Sequence, residues 1–287
     1  MSTQRTYTVG NKGTVWRMTN HDPNTWTDVS LTSMYGQVNP LVPASGEGPA
    51  LVNQLWLNNI NLVDVMTDPN DSSKVCTIAG RALENRTASI SSGYAAIFMS
   101  HDEGNTWFFP AGDWVDVCNT SAALCRNHFE VFYTDSLTIY IISQLGYVFK
   151  SVDGGLSFNT VKDANNTIQP VNATGYEWVS CIHMRKGTGG NPDYGVVGVI
   201  EDITQQASGT YVYKTIDGGA SWFVLNGGNP LQNDYTLNTQ VGEPGGIYIS
   251  EDQNTIIIQA EDITTKSVDG GATFTCTLNN FSCNIEA

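Results

Sequence analysis

The sequence predicts an all-β protein assembled from repeated units of four short strands. Three observations carry that expectation. One octapeptide recurs along the chain, a strand-like apolar segment precedes each copy, and no segment sustains the 3.6-residue apolar period of a helix. With 28 glycines in 287 residues and 40% hydrophobic residues, the composition suits many turns between short buried strands.

The octapeptide reads SHDEGNTW at 100–107, SVDGGLSF at 151–158, TIDGGASW at 215–222 and SVDGGATF at 267–274. A shortened copy, NHDPNTW at 20–26, lacks one residue and the glycine. The shared pattern is a hydroxyl residue, an Asp, a Gly, a second hydroxyl residue and an aromatic. These are Ser100, Asp102, Gly104 and Trp107; Ser151, Asp153, Gly155 and Phe158; Thr215, Asp217, Gly219 and Trp222; Ser267, Asp269, Gly271 and Phe274. Asp and Ser/Thr oxygens accept turn N–H groups, Gly permits positive φ where the chain reverses, and the aromatic opens the next strand as an apolar anchor. The pattern resembles the Asp-box, or bacterial neuraminidase repeat, of β-propellers. Sialidases, xyloglucanases, sortilin-type receptors and photosystem II assembly factors carry it. The resemblance covers residues from about 6 to 283. It implies a box in the turn between the third and fourth strands of each blade, with a structural role.

Each unit parses accordingly. In the blade at about 61–109, strands are expected at Leu62–Met66, Lys74–Ala79 and Tyr94–Met99, then the box and a fourth strand from Trp107. Blades at about 128–160, 178–224 and 246–276 repeat the pattern. Residues 1–30 form a truncated blade without a first strand, and Phe281–Ile285 is expected to close it. The expectation is one propeller domain over 1–287 with five blades; six would require the Pro-rich insertion at 31–60 to form much of a sheet.

In such blades the short turns and boxes share one face, and the long connections share the other. Here 30–61, 80–93, 110–128, 159–177, 201–210 and 224–245 elaborate that second face. A tight scaffold with one elaborated face points to binding there. Tyr94, Trp114, Tyr176 and Tyr235 are its candidate contact aromatics.

Net charge is −15, which argues against a nucleic-acid or anionic-membrane partner. No apolar run is long enough to span a membrane. The opening MSTQRTYTVGNKG has no stretch of signal-peptide length, so no export signal is expected. Six cysteines show no CxxC. Cys118 with Cys125, and Cys276 with Cys283, are spaced so that small disulfide loops could close, but reduced thiols are the favoured reading because no export signal supports oxidation. The histidines occur singly, and there is no HExxH, P-loop, GxSxG or EF-hand, so no metal site or cofactor is expected. The turn Asp68-Pro69-Asn70-Asp71 reads as solvated rather than calcium-binding.

The resemblance to sialidases implies three carboxylate-clamping arginines, a Tyr–Glu nucleophile pair and an acidic proton donor. The chain has Arg5, Arg17, Arg81, Arg86, Arg126 and Arg185, but not the family's Arg-Ile-Pro signature. The reading at this level is a non-catalytic propeller serving as a structural or adhesion subunit of a larger assembly. Its partners are protein subunits or a surface glycan, and a bacteriophage virion is the favoured setting over a cytoplasmic or non-classically exported protein. The alternatives are a glycan-active hydrolase of sialidase-like type and an intracellular assembly factor.

Overall fold

The computed structural model describes residues 5–10, 14–34, 61–68, 73–83, 93–120, 129–143, 147–161, 177–201, 210–226, 244–260 and 263–278. They are all-β apart from a short 3-10 turn at Leu31–Met34 and one helix, α1 (Trp114–Thr120). The chain divides into two compact units, Met1–Thr160 and Val161–Ala287.

The first unit holds three antiparallel meanders. β1 (Arg5–Gly10), β2 (Thr14–Thr19) and β3 (Thr27–Asp28) form a three-stranded sheet. β4 (Asn61–Thr67), β5 (Val75–Leu83) and β6 (Gly93–Ser100) form the next, extended by an antiparallel bridge between Met99 and Phe108. β7 (Phe129–Tyr133), β8 (Ile139–Ser143), β9 (Val148–Ser151) and β10 (Asn159–Thr160) make a four-stranded sheet. The second unit holds two four-stranded meanders. One is β11 (Glu177–Arg185), β12 (Tyr194–Glu201), β13 (Thr210–Thr215) and β14 (Phe223–Val224); the other is β15 (Pro244–Ile249), β16 (Ile256–Ala260), β17 (Ile263–Ser267) and β18 (Thr275–Leu278). The strands fall where the repeat placed them, to within a few residues. The proposed closing segment 281–285 and nearly all of 31–60 lie outside the described residues.

Burial explains why the strands read as continuous apolar runs. All five residues of β8 are buried, as they must be in a sheet covered on both faces. In the first unit one core joins all three sheets, with Val15, Val29, Ile97, Met99, Ile139 and Phe149 all near zero exposure. In the second, Val196, Val212, Ile249, Ile256 and Ile258 do the same for two. α1 belongs to the first core through Trp114, and Asp113 just ahead of it accepts the Thr160 N–H at 2.6 Å.

One contact recurs at every full octapeptide, and a second at three of the four. The residue at its fourth position donates its N–H to a carbonyl in the first turn of the same sheet. Glu103 reaches Ser73 at 2.9 Å, Gly154 reaches Leu137 at 2.9 Å, Gly218 reaches Asp193 at 2.8 Å and Gly270 reaches Asn254 at 2.8 Å. The glycine at the fifth position is pressed against the preceding sheet. A Cβ on Gly104 would lie 3.1 Å from Val29 Cγ2, on Gly155 2.2 Å from Met99 Cε, and on Gly271 2.4 Å from Leu225 Cδ1. Two constraints therefore select glycine there, a φ of +85° to +96° at these three positions and the absence of room.

Gly155→Ala is expected to cost about 2–4 kcal/mol, because φ is positive and the new Cβ would displace the thioether end of Met99 within the core. Gly190→Ala, also at positive φ but facing open space, is expected to cost only about 1 kcal/mol. Denaturant unfolding of the two variants checks this; equal losses would show that the close approach contributes nothing.

Candidate functional site

The octapeptides present the most regular constellation of polar groups. Ser100 Oγ donates to Asp102 Oδ1 at 2.9 Å and accepts the Gly104 N–H at 2.7 Å. Asp102 Oδ1 also accepts the Thr106 N–H at 2.8 Å, and Oδ2 accepts the Thr106 hydroxyl at 2.6 Å. Asp153 takes the same bonds from Ser151 and Ser157, Asp217 from Thr215 and Ser221, and Asp269 from Ser267 and Thr273. Burial opposes ionisation at Asp102, Asp153 and Asp217, but the hydroxyl and amide donors outweigh it and hold each carboxyl below its usual range. At Asp269 the Thr273 hydroxyl bond leads, with the Thr273 amide and Ser267 behind it, in the same direction. Three of the roughly four acceptor sites of each carboxylate are thus engaged within its own turn, which locks the turn.

Two clusters of reactive residue types lie elsewhere. In the first unit Arg5, Tyr7, Arg17 and Glu103 meet. Arg5 grips the Glu103 carboxylate through Nε at 2.9 Å and Nη2 at 3.0 Å, and Arg17 Nη1 donates to the Glu103 carbonyl at 2.7 Å. Burial pushes the Tyr7 hydroxyl up to about 12, with Arg17 and Arg5 opposing and Glu103 adding to the rise. In the second unit Arg185 Nε donates to the Ile249 carbonyl at 2.6 Å and Nη2 to the Tyr248 hydroxyl at 3.1 Å, with its guanidinium over the Tyr248 ring. His183 meets that ring edge-on, and burial, aided by Arg185, pushes its pKa down to about 4, so it is neutral near pH 7. Arginine, tyrosine and glutamate, the residue types that the sialidase resemblance calls for, thus meet at Tyr7 and Glu103. However, the carboxylate is clamped and the phenol is far from ionising.

Sequence reasoning missed both clusters. One signal for the first was present: Glu103 stands where the other three full boxes have glycine, at φ +62°. A non-glycine residue in that conformation needs compensation, and the arginine clamp supplies it. A second set of turn aspartates was also missed. Asp135 accepts the N–H groups of Leu137 and Thr138, Asp193 that of Gly187, and Asp252 that of Asn254, each in the first turn of its sheet.

The candidate contact aromatics divide. Trp114 is a correction: it is 1% exposed and its Nε1 donates to the Pro110 carbonyl at 3.0 Å, so it anchors α1 and offers no surface. A short helix had not been expected in that connection, and its burial follows from the indole packing into the first core. Tyr94 pairs with Ala82 in the β5–β6 ladder, and its side chain lies outside the description. Tyr176 and Tyr235 lie outside the described residues, as do Cys125 and Cys283. Cys118 falls on α1 and Cys276 on β18, with side chains likewise undescribed. Cys76 and Cys181 are buried thiols. Arg81 lies on β5 with its side chain undescribed, and Arg86 and Arg126 are outside the described residues. Asp68 is buried in its turn, whereas Asp71 is not described. Among the described residues no helix is long and apolar enough to cross a membrane, and no three His, Cys, Asp or Glu gather as a metal site would require.

No family model matches the chain, and no curated protein matches it. Solved structures do. A GH74 xyloglucanase from Xanthomonas campestris aligns with 92% of this chain and 34% of its own length, at TM-score 0.50 and 16% identity. YCF48 from Cyanidioschyzon merolae aligns with 96% of this chain and 67% of its own, at TM-score 0.48 and 11% identity. A Trypanosoma rangeli sialidase aligns with 84% of this chain and 40% of its own, at TM-score 0.40 and 14% identity. The chain thus spans about a third of the xyloglucanase that it resembles. These are β-propellers, and the xyloglucanase likeness establishes the fold at that level without fixing the number of blades. It also corrects the expectation of a non-enzyme, because the matched fold is one that a glycoside hydrolase uses. None of the comparisons supports a virion role.

The depressed carboxyls set a sign for acid stability. A folded pKa below the unfolded value of about 4 gives stability that is complete above that value and lost as pH falls through the folded one. The four box carboxyls therefore contribute no slope to the thermal midpoint above about pH 5 and a falling one below about pH 4. Asp153→Ala strands the Ser157 N–H and hydroxyl and is expected to cost about 1–3 kcal/mol near neutral pH. Melting curves from pH 6 to 2 should show the variant starting lower and losing less.

Proposed function

We propose that the chain is a carbohydrate-directed propeller of the glycoside-hydrolase kind, acting on a neutral or weakly charged polysaccharide. The observation that carries this reading is the fold likeness to a xyloglucanase along 92% of the chain. Composition supports it: a net charge of −15 suits a neutral polyol better than a polyanion.

Hydrolysis of a glycosidic bond needs two carboxyl groups on either side of it. The box aspartates are poor choices, since their oxygens are bonded to their own turns. In this reading the pair comes from acids outside the boxes. Fold alone hosts many chemistries, so the substrate rests on the site.

A polysaccharide panel including xyloglucan, read by glycan array and by release of reducing ends, tests the proposal. Saturable binding with turnover that a single acidic substitution abolishes is the expected result. A protein with a cooperative melting transition that neither binds nor cleaves any member of the panel would overturn it.

A further inference from the structure

The joint between the first sheet and the second holds more positive charge and more hydrogen-bond donors than its own residues use. Arg5 and Tyr7 lie two apart on β1 and so share a face, and Arg17 is the cross-strand partner of Tyr7 on β2. The three side chains project together towards the turn that carries Glu103. Arg5 takes both Glu103 carboxylate oxygens, at 2.9 Å and 3.0 Å. Arg17 Nη1 takes the Glu103 carbonyl at 2.7 Å, stands 3.4 Å from Oε2 and reaches Asn105 Oδ1 at 3.5 Å. What remains is Arg5 Nη1, Arg17 Nε and the Tyr7 hydroxyl, all buried and without a hydrogen-bond partner among the described residues. Arg17 lies close enough to influence the Tyr7 hydroxyl, but the two do not meet hydrogen-bond geometry. Among the described residues two guanidinium charges face one carboxylate, so one positive charge is left over.

We propose that this joint binds a small monovalent anion, a halide or a small carboxylate, held by Arg5 Nη1, Arg17 Nε and the Tyr7 hydroxyl. Guanidinium groups donate and cannot accept, so the missing partner is an acceptor, and the leftover charge makes it an anion. Buried donors are ordinarily paired, and an unpaired group calls for a water or an ion. The hydroxyl, pushed up to about 12, stays protonated and able to donate through the physiological range. The side chains of Arg5 and Arg17 are 14% and 13% exposed, and that of Glu103 is 26% exposed. The anion therefore enters past the Glu103 rim when these side chains part, and then sits enclosed as a structural ion. The site lies at the box ends of the strands and does not depend on the polysaccharide reading.

The test is the thermal midpoint of the whole chain at constant ionic strength, with bulky gluconate exchanged for chloride in one arm and for formate in another. A saturable rise of roughly 2–4 °C in either arm is expected, as a ligand held by the folded state alone produces. A rise with chloride only assigns a halide; a rise with formate only assigns a carboxylate. Tyr7→Phe, which keeps the ring, should shift the midpoint's dependence to at least several-fold higher anion concentration. If chloride raises the midpoint, bromide-soaked crystals should show an anomalous peak between the two guanidinium groups, and if only formate does, formate-soaked crystals should show density there; either decides the matter if the variant does not fold. Identical midpoints in all three salts would overturn the proposal. So would a Tyr7→Phe protein with unchanged anion dependence, or crystals in which the anion that raises the midpoint is bound only elsewhere.

Discussion

The structure depends on one turn in which an aspartate is bonded on both carboxylate oxygens by the residues that follow it. That turn does three things at once. It fixes the reversal between the third and fourth strands through the amide and hydroxyl four residues on. It ties itself to the first turn of its own sheet through the N–H at the fourth position. It also presents a glycine without a side chain to the sheet before it. In the first full box the closing aromatic adds to the contact: Trp107 is buried and its Nε1 donates to the Val29 carbonyl at 2.8 Å, beside the preceding sheet. A strand pair closed by this turn is thus already shaped to receive a neighbour.

Basic residues reinforce those joints. Arg17 donates to the Glu103 carbonyl, Lys74 to that of Ser136 and His101 meets that of Gly154 in the first unit. Arg185 donates to the Ile249 carbonyl and Lys214 to that of Gln253 in the second. Each of these bonds runs from one sheet to a backbone oxygen of the next. With only 13 Lys and Arg against 28 Asp and Glu, such use draws cations inward. The net acidity of the chain is left to its surface, which favours solubility and disfavours polyanionic partners.

The same economy separates scaffold from chemistry. The carboxylates that are easiest to recognise in the sequence are poorly available for reaction, because most of their lone pairs are taken by their own turns. The arginines that a carboxylate clamp would need include Arg5, Arg17 and Arg185, each engaged across a joint. A propeller of this kind leaves its chemistry to residues that the repeat does not specify, and the same fold accordingly serves unrelated activities.

What the sequence determined by itself is the repeated turn and the strands beside it. The hydrogen bonds of the aspartate carboxylate all lie within the eight residues of the turn, so pattern and chemistry coincide and Asp102, Asp153, Asp217 and Asp269 could be read directly. The strands were legible for a related reason, since burial on both faces turns them into the apolar runs of β8 and β12. Tertiary structure alone decided the rest. Trp114 looks like a surface aromatic in a long connection, yet a seven-residue helix carries it into the core. Arg5 and Glu103 are 98 residues apart, and His183 meets Tyr248 across two different sheets. Those encounters follow from how one sheet stacks on the next, a sum of many weak packing terms over distant residues that no local pattern encodes.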